Sequence, residues 1–133
     1  MHSPLLNISI VLSQADPRPM YLQIKEQIRH RIAVGDWKAG HEVPSIRALA
    51  VELRVSVITI KRAYAELESE GVIVTQHGKG SFVAEAEGLS TDLQQQELDD
   101  HLLAAARLAK LLNIDEADLV ARLRKAERKA EKK

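Results

Sequence analysis

The sequence has 133 residues, of which 45% are hydrophobic and 29% are charged, and this balance excludes an intrinsically disordered chain. The absence of cysteine excludes disulfide frameworks, cysteine-ligated zinc and thiol nucleophiles. No apolar run has the length of a membrane span, and residues 8–12 lack the basic flank of a secretory signal, so we expect a cytoplasmic protein.

The formal net charge of zero conceals an uneven distribution of charge along the chain. Residues 18–83 contain ten Lys and Arg against seven Asp and Glu, residues 84–123 contain three against nine, and residues 124–133 contain six against two. Such runs are most often solvated helix faces, so charge alone does not decide the binding partner.

The N-terminal part of the chain predicts a strand, a turn and a helix. Apolar residues alternate over 8–12, and Asp16–Pro19 then interrupts the backbone. From Met20, apolar residues recur at helical spacing as far as about Val34, where Gly35 can adopt the left-handed conformation that ends a helix.

Two short helices, each opened by a serine, are predicted next. The hydroxyls of Ser45 and Ser56 can each accept a hydrogen bond from a free amide of the following first turn. The first of these helices ends near Leu53, and the second runs over 57–70 before Gly71. Two capped helices joined by such a short turn form a candidate helix-turn-helix. The apolar stripe of its second helix is Ile60, Ala63, Tyr64 and Leu67.

A β-hairpin is predicted directly after the helix-turn-helix. Residues 72–74 and 81–83 are rich in strand-forming side chains, and they flank a segment whose glycines, Gly78 and Gly80, permit a tight turn. We interpret this hairpin as the wing of a winged helix-turn-helix.

DNA contacts are expected on the exposed edge of the second helix, because a recognition helix reads base edges from its first turns while hydroxyls and cations bind phosphate. Its exposed residues are Val57, Ile58, Thr59, Lys61 and Arg62. We expect base or phosphate contacts from Ser56, Thr59 and Lys61, a backbone contact from Arg47, and wing contacts from His77, Gly78 and Lys79. Each residue alone is also consistent with a solvated surface, whereas the whole arrangement favours DNA.

The remainder of the chain predicts a linker and two further helices. Thr91 to Gln94 fits a capping box, and Asp115 fits the cap of a last helix. The first helix carries apolar residues at alternating spacings of four and three, a seam that requires another helix against it. The second helix carries an apolar face as well. The predicted dimerisation residues are Leu98, Leu102, Ala105, Ala109, Leu112, Leu119 and Leu123. We therefore predict a symmetric homodimer.

Four motifs and their spacing make residues 7–84 resemble the GntR family of bacterial regulators. The motifs are PMYLQI at 19–24, VPSIRALA at 43–50, TIKRAYAELESEG at 59–71 and HGKGSFV at 77–83. The two-helix tail resembles that of the YtrA subfamily, in which it is a dimerisation module. The resemblance implies repression of a short operon, often with transporter genes and the regulator's own gene. It also implies a wing in the minor groove and DNA contacts from Arg47, Ser56, Thr59, Lys61 and Gly78.

The sequence departs from the family at two positions of the recognition helix. These positions are commonly polar or cationic, whereas here they are Val57 and Ile58. One hypothesis is that their methyl groups meet thymine methyls and favour A·T pairs, and the alternative is weaker binding.

Functions other than DNA binding are less well supported by the sequence. Gly78–Ser81 superficially suggests a phosphate loop, but Gly80 separates the lysine from the serine and the segment leads into a strand. The five histidines fall singly, which excludes metal-ligand spacing. We predict no enzyme, no metal and no cofactor, and any pocket for a small-molecule effector would be small or shared between subunits.

The predicted fold is mainly α with a small β-hairpin wing, in the α+β class. A winged helix-turn-helix DNA-binding domain occupies residues 1–86, and a helical dimerisation tail occupies 87–133. The alternative function is a winged-helix module for protein–protein interaction, which would not need steeply salt-dependent DNA binding. Trp37 and Tyr64 are interpreted as core anchors rather than ligand-stacking residues.

Overall fold

The computed structural model describes residues 10–132, and these residues form five helices and a two-stranded antiparallel hairpin. The elements are α1 (Met20–Ala33), α2 (Ile46–Leu53), α3 (Val57–Ser69), β1 (Ile73–Gln76), β2 (Gly80–Val83), α4 (Leu89–Leu111) and α5 (Glu116–Glu131). The predicted fold class is confirmed. The chain divides into two compact units between Gln95 and Gln96, inside α4. The division into domains 1–86 and 87–133 is a functional one and stays a prediction.

The predicted N-terminal strand is wrong for residues 10–12, and residues 8 and 9 lie outside the described part of the chain. The backbone of Val11 is paired with a side chain instead of a strand. Its N–H donates to Gln27 Oε1 at 2.8 Å, and its carbonyl accepts from Gln27 Nε2 at 2.5 Å. The amide of a helix residue thus satisfies the backbone groups that a neighbouring strand would have satisfied.

The core of the first unit lies where α1, α2 and α3 meet the base of the hairpin. Its largest fully buried side chains are Trp37, Ile24, Ile28, Leu49, Ile60, Leu67, Ile73 and Val83. Tyr64 is also buried in this cluster, which confirms both aromatic residues as core anchors. α1 ends as predicted, because Gly35 follows it with a φ of 86°.

The helix-turn-helix is built as the serines predict. Ser45 Oγ accepts from the Ala48 N–H at 3.0 Å, and Ser56 Oγ accepts from the Thr59 N–H at 3.1 Å. Gly71, with a φ of 77°, follows α3. Local capping chemistry therefore defines where both helices begin.

The hairpin pairs Ile73 with Val83 and Gln76 with Gly80, which confirms the predicted wing. The chain before α2 runs along its outer edge. The Val43 N–H donates to the Ser81 carbonyl and the Val83 N–H to the His41 carbonyl, each at 2.9 Å. These bonds tie the wing to the helix-turn-helix.

α4 begins at Leu89, three residues before the start at Asp92 that a capping box with Thr91 as its cap predicts, so that prediction is wrong. Ser90 Oγ donates to the Ala33 carbonyl at 3.1 Å, and Gln94 Nε2 donates to the same oxygen at 2.7 Å. The glutamine that was expected to cap α4 therefore binds the free carbonyl end of α1. Leu93 is buried beside it.

The second unit, residues 96–132, contains the rest of α4 and α5. Asp115 caps α5 as predicted, accepting the Asp118 N–H at 2.9 Å. No residue of α5 is buried, and the two helices make little contact beyond the turn that joins them. Ala109 of the predicted seam is buried, and its exposed leucines are Leu98, Leu102, Leu112 and Leu123. No described helix is long and apolar enough to cross a membrane.

Candidate nucleic-acid interface

One face of α3 is buried and the other is open to solvent. Ile60, Ala63 and Leu67 are fully buried. Because residues three and four apart share a helix face, these buried residues mark one face of α3. Ile58 points away from that face, Val57 and Lys61 lie at its border, and all three are exposed. The N-terminal half of α3 therefore presents a free surface with one cation and two apolar side chains.

The first turn of α3 is held by its two hydroxyl residues. Besides accepting the Thr59 N–H, Ser56 Oγ shares a hydrogen bond of 2.9 Å with Thr59 Oγ1. Ser56 is exposed and Thr59 is half-buried. Both hydroxyls thus have an internal partner. Because Ser56 is the more exposed of the two, its hydroxyl is better placed to bind a phosphate.

A cluster of charges fastens the C-terminal half of α3 to α1. Lys25 Nζ donates to Glu66 Oε1 at 2.8 Å and to Glu70 Oε2 at 2.7 Å, and Arg29 also pairs with Glu70. Burial alone would lower the pKa of Lys25, but the bonds to the two carboxylates outweigh it and raise that pKa. The bond from Lys25 lowers the pKa of Glu66; burial alone would raise the pKa of Glu70, yet its bonds to Lys25 and Arg29 lower it.

Arg62 lies against α1 rather than reaching freely into solvent. Its guanidinium carbon is 3.8 Å from the centroid of the Tyr21 ring, and its Nη2 donates to the Tyr21 hydroxyl at 3.0 Å. Its Nε also pairs with Glu66 at 3.4 Å. A DNA contact from Arg62, as predicted from the sequence, would have to compete with these partners.

Arg47 and Tyr64 show how α2 is presented. Arg47 is exposed on the first turn of α2. The Tyr64 hydroxyl donates to the Pro44 carbonyl at 2.7 Å, and burial raises the pKa of this phenol. Tyr64 therefore fixes the start of α2 to α3, and with it the placement of Arg47.

The tip of the wing is open. His77, Gly78 and Lys79 are all exposed between the paired Gln76 and Gly80. The Lys79 N–H donates to the Gln76 carbonyl at 2.8 Å, and Gly78 has a φ of 79°, the positive value that the third position of such a turn requires. The turn leaves the Lys79 side chain free to bind an anion.

Sequence reasoning missed two structural residues around this surface. Arg54, the residue after α2, has a φ of 57°. This left-handed conformation favours glycine, so an arginine at this position does not predict it. Lys25 belongs to a partly apolar helix, and its carboxylate partners are more than forty residues away. The position of Lys25 on the inward side of α1 was the one feature of the sequence that could have indicated these partners.

The described residues contain no cluster of His, Asp or Glu that could hold a metal ion. A cleft of about 310 Å³ lies in the first unit and is lined partly by Ile32, Trp37, Val83 and Leu89. This volume is at the lower end of the range for small-ligand sites. An effector stays a prediction.

A three-helix core with a capped recognition helix and a hairpin wing defines the class of winged helix-turn-helix proteins. Residues 20–83 match the family model described as "Bacterial regulatory proteins, gntR family". The chain belongs to the GntR family of transcription regulators, and its likeness to YtrA places it with the YtrA-like members.

The chain matches most of some curated relatives and less than half of another. It is 30% identical to the HTH-type transcriptional regulator YhcF of Bacillus subtilis, over 77% of this chain and 85% of that protein. It is 37% identical to the HTH-type transcriptional repressor YtrA of B. subtilis, over 62% and 71%. It is 35% identical to the histidine utilization repressor of Pseudomonas putida, but the match spans only 42% of that protein.

Solved structures share the fold. A GntR family transcriptional regulator from Listeria monocytogenes superposes with a TM-score of 0.74 at 32% identity, over 83% of this chain and 96% of that one. The DNA-binding domain of AraR in complex with operator ORE1 superposes with a TM-score of 0.50 at 30% identity, over 60% and 98%. The AraR domain is thus a DNA-bound relative of the winged helix described above.

Proposed function

We propose that this chain represses transcription as a homodimer bound to a two-fold symmetric operator. The observation that carries the proposal is the orientation of α3, whose buried face leaves Lys61 and the capped N-terminal turn exposed. A helix presented in this way fits the major groove, and its N-terminal amides favour phosphate. The DNA-bound AraR relative supports the same use of the fold.

Roles are proposed for each exposed residue of this surface. Lys61 reads a base edge or binds phosphate, Arg47 and Ser56 bind the backbone, and Thr59 contributes where its hydroxyl is released from the cap. Val57 and Ile58 meet the bases through apolar contacts, and Arg62 acts mainly by holding α3 on α1. The wing residues His77, Gly78 and Lys79 lie beside the adjacent minor groove.

The tail supports the dimer in this proposal. Leu102 and Leu123 are about half exposed, and α5 has no buried residue at all in a single chain. Burying a leucine stabilises by about 2 kcal/mol, so the exposed seam favours association with a second copy. Two recognition helices would then address half-sites about one helical turn apart.

The remaining features of the proposal follow the family resemblance. We expect the regulated operon to be short, to include the regulator's own gene and often transporter genes, and we expect a cytoplasmic location and no cofactor. We expect any small-molecule effector to bind at a small site, such as the cleft beside Trp37, or at a site shared between two subunits.

Fluorescence anisotropy of the full chain on a labelled duplex enriched from a random pool tests this proposal. We expect nanomolar binding that weakens at least a hundredfold between about 50 and about 200 mM salt. Lys61→Ala and Arg47→Ala should each weaken binding about five- to fiftyfold. Lys38→Ala, which removes an exposed cation outside α2, α3 and the wing, should bind like wild type. Weak binding that is indifferent to sequence and to Lys61 would instead favour the protein-interaction module.

A further inference from the structure

The first turn of α3 carries two large apolar side chains in solvent. Ile58 is 78% exposed and Val57, at the border of the buried face, is 41% exposed, although the same helix buries four residues. Exposure alone is no signal, since Val51 on α2 is also 78% exposed. The position of Val57 and Ile58 relative to Lys61 is what distinguishes them.

Val57 and Ile58 lie four and three residues before Lys61, which makes them its neighbours on the surface of α3. Any DNA that Lys61 touches must therefore come close to these side chains. Both are β-branched, so the helix restricts each to few rotamers and little side-chain entropy is lost on contact.

Polar readout from the same turn is limited. The hydroxyls of Ser56 and Thr59 are bonded to each other, and Ser56 also accepts the Thr59 N–H. The side chains of Val57 and Ile58 can neither donate nor accept a hydrogen bond, so a guanine, cytosine or adenine edge placed opposite them would lose its water without a replacement partner. The C5-methyl of thymine is the one apolar group that a base pair offers in the major groove.

We propose that Val57 and Ile58 are specificity-determining residues that select thymine methyl groups in each operator half-site. The inference rests on the proposed function, because it requires α3 to enter the major groove. Ile58, the more exposed side chain, makes the larger contact, and Lys61 sets the register of the thymines relative to the neighbouring base pairs.

Replacing single thymines by deoxyuracil tests this inference, because the replacement removes only the methyl group. The full chain first selects a duplex from a random pool, and anisotropy then measures each substituted duplex. We expect one or two positions per half-site at which uracil weakens wild-type binding about three- to fivefold. Ile58→Ala should lose that uracil effect at its position, Ile58→Val should keep part of it, and the matched control Val51→Ala should keep all of it.

The outcomes separate this inference from the proposed function. Selection of a specific site without thymine, or a uracil effect that is equal in wild type, Ile58→Ala and Val57→Ala, would overturn the inference and leave the regulator intact. Failure to enrich any sequence would overturn both. A uracil effect lost only in the α3 variants would establish the thymine contact.

Discussion

Arg54 joins α2 to α3 through a backbone conformation that its side chain does not favour. Its φ of 57° is left-handed, and the Val55 N–H closes the end of α2 by donating to the Ala50 carbonyl at 3.1 Å. For a residue with a Cβ, this conformation costs about 1–2 kcal/mol. The turn of the helix-turn-helix is therefore stabilised by its neighbours rather than by its own sequence.

We expect Arg54→Gly to raise the free energy of unfolding by about 0.5–1 kcal/mol, because glycine relieves the left-handed strain but loses more backbone entropy on folding. Urea unfolding followed by circular dichroism measures the change. Arg54→Ala is the matched control, since it removes the same side chain and keeps the strain. Equal stability of the glycine and alanine variants would contradict this explanation.

The sequence predicts those features of single residues that depend on their neighbours along the chain. Ser45, Ser56 and Asp115 cap helices that begin beside them, so each was identified from its position alone. The conformation of Arg54 was not, because it follows from the close packing of α2 on α3. Whether the exposed side chains bind DNA stays a prediction.

The charge cluster between α1 and α3 governs how the recognition helix is held. The side chain of Lys25 is only 7% exposed, whereas those of Glu66 and Glu70 remain about one-third exposed. The lowered carboxyl pKa values stabilise the fold above their ordinary value of 4.5, and this contribution is lost as pH falls through the lower values of the folded state. The raised pKa of Lys25 acts in reverse, and its contribution is lost only as pH rises beyond 10.5.

We expect Lys25→Met to lower stability at neutral pH by about 1–2 kcal/mol, since it keeps the buried alkyl chain and leaves Glu66 and Glu70 with only Arg62 and Arg29 as partners. The variant should also lose less stability than wild type between about pH 7 and about pH 4. Thermal unfolding at both pH values measures this difference. Arg122→Met, which removes only an exposed pair with Asp118, should reproduce the wild-type pH dependence. If wild type and Lys25→Met lost the same amount of stability on acidification, this result would contradict the role of the cluster.

Elements whose ends depend on distant partners were predicted less well than the helix-turn-helix. α4 starts early because Ser90 and Gln94 bind the free Ala33 carbonyl, which is distant in sequence. The expected strand at residues 10–12 is absent because Gln27 satisfies the Val11 backbone. In both cases a tertiary hydrogen bond outweighs a local pattern.

The proposed regulator requires two copies of the chain. A single chain leaves Leu98, Leu102 and Leu112 exposed along the predicted seam of α4. Leu111 is exposed on the same helix but lies outside the seam, which makes it a matched control for charge introduced at Leu102. Pairing through the seam would give the complex a two-fold axis and the operator the same symmetry.

Hydroxyl-radical footprinting of the full chain on its selected site tests most directly whether the chain recognises DNA as a dimer. We predict two protected windows, related by a two-fold axis and about one helical turn apart. Leu102→Asp should abolish both windows together at a protein concentration where Leu111→Asp preserves them. A single asymmetric window, or protection that survives Leu102→Asp, would contradict the dimeric regulator proposed for this chain.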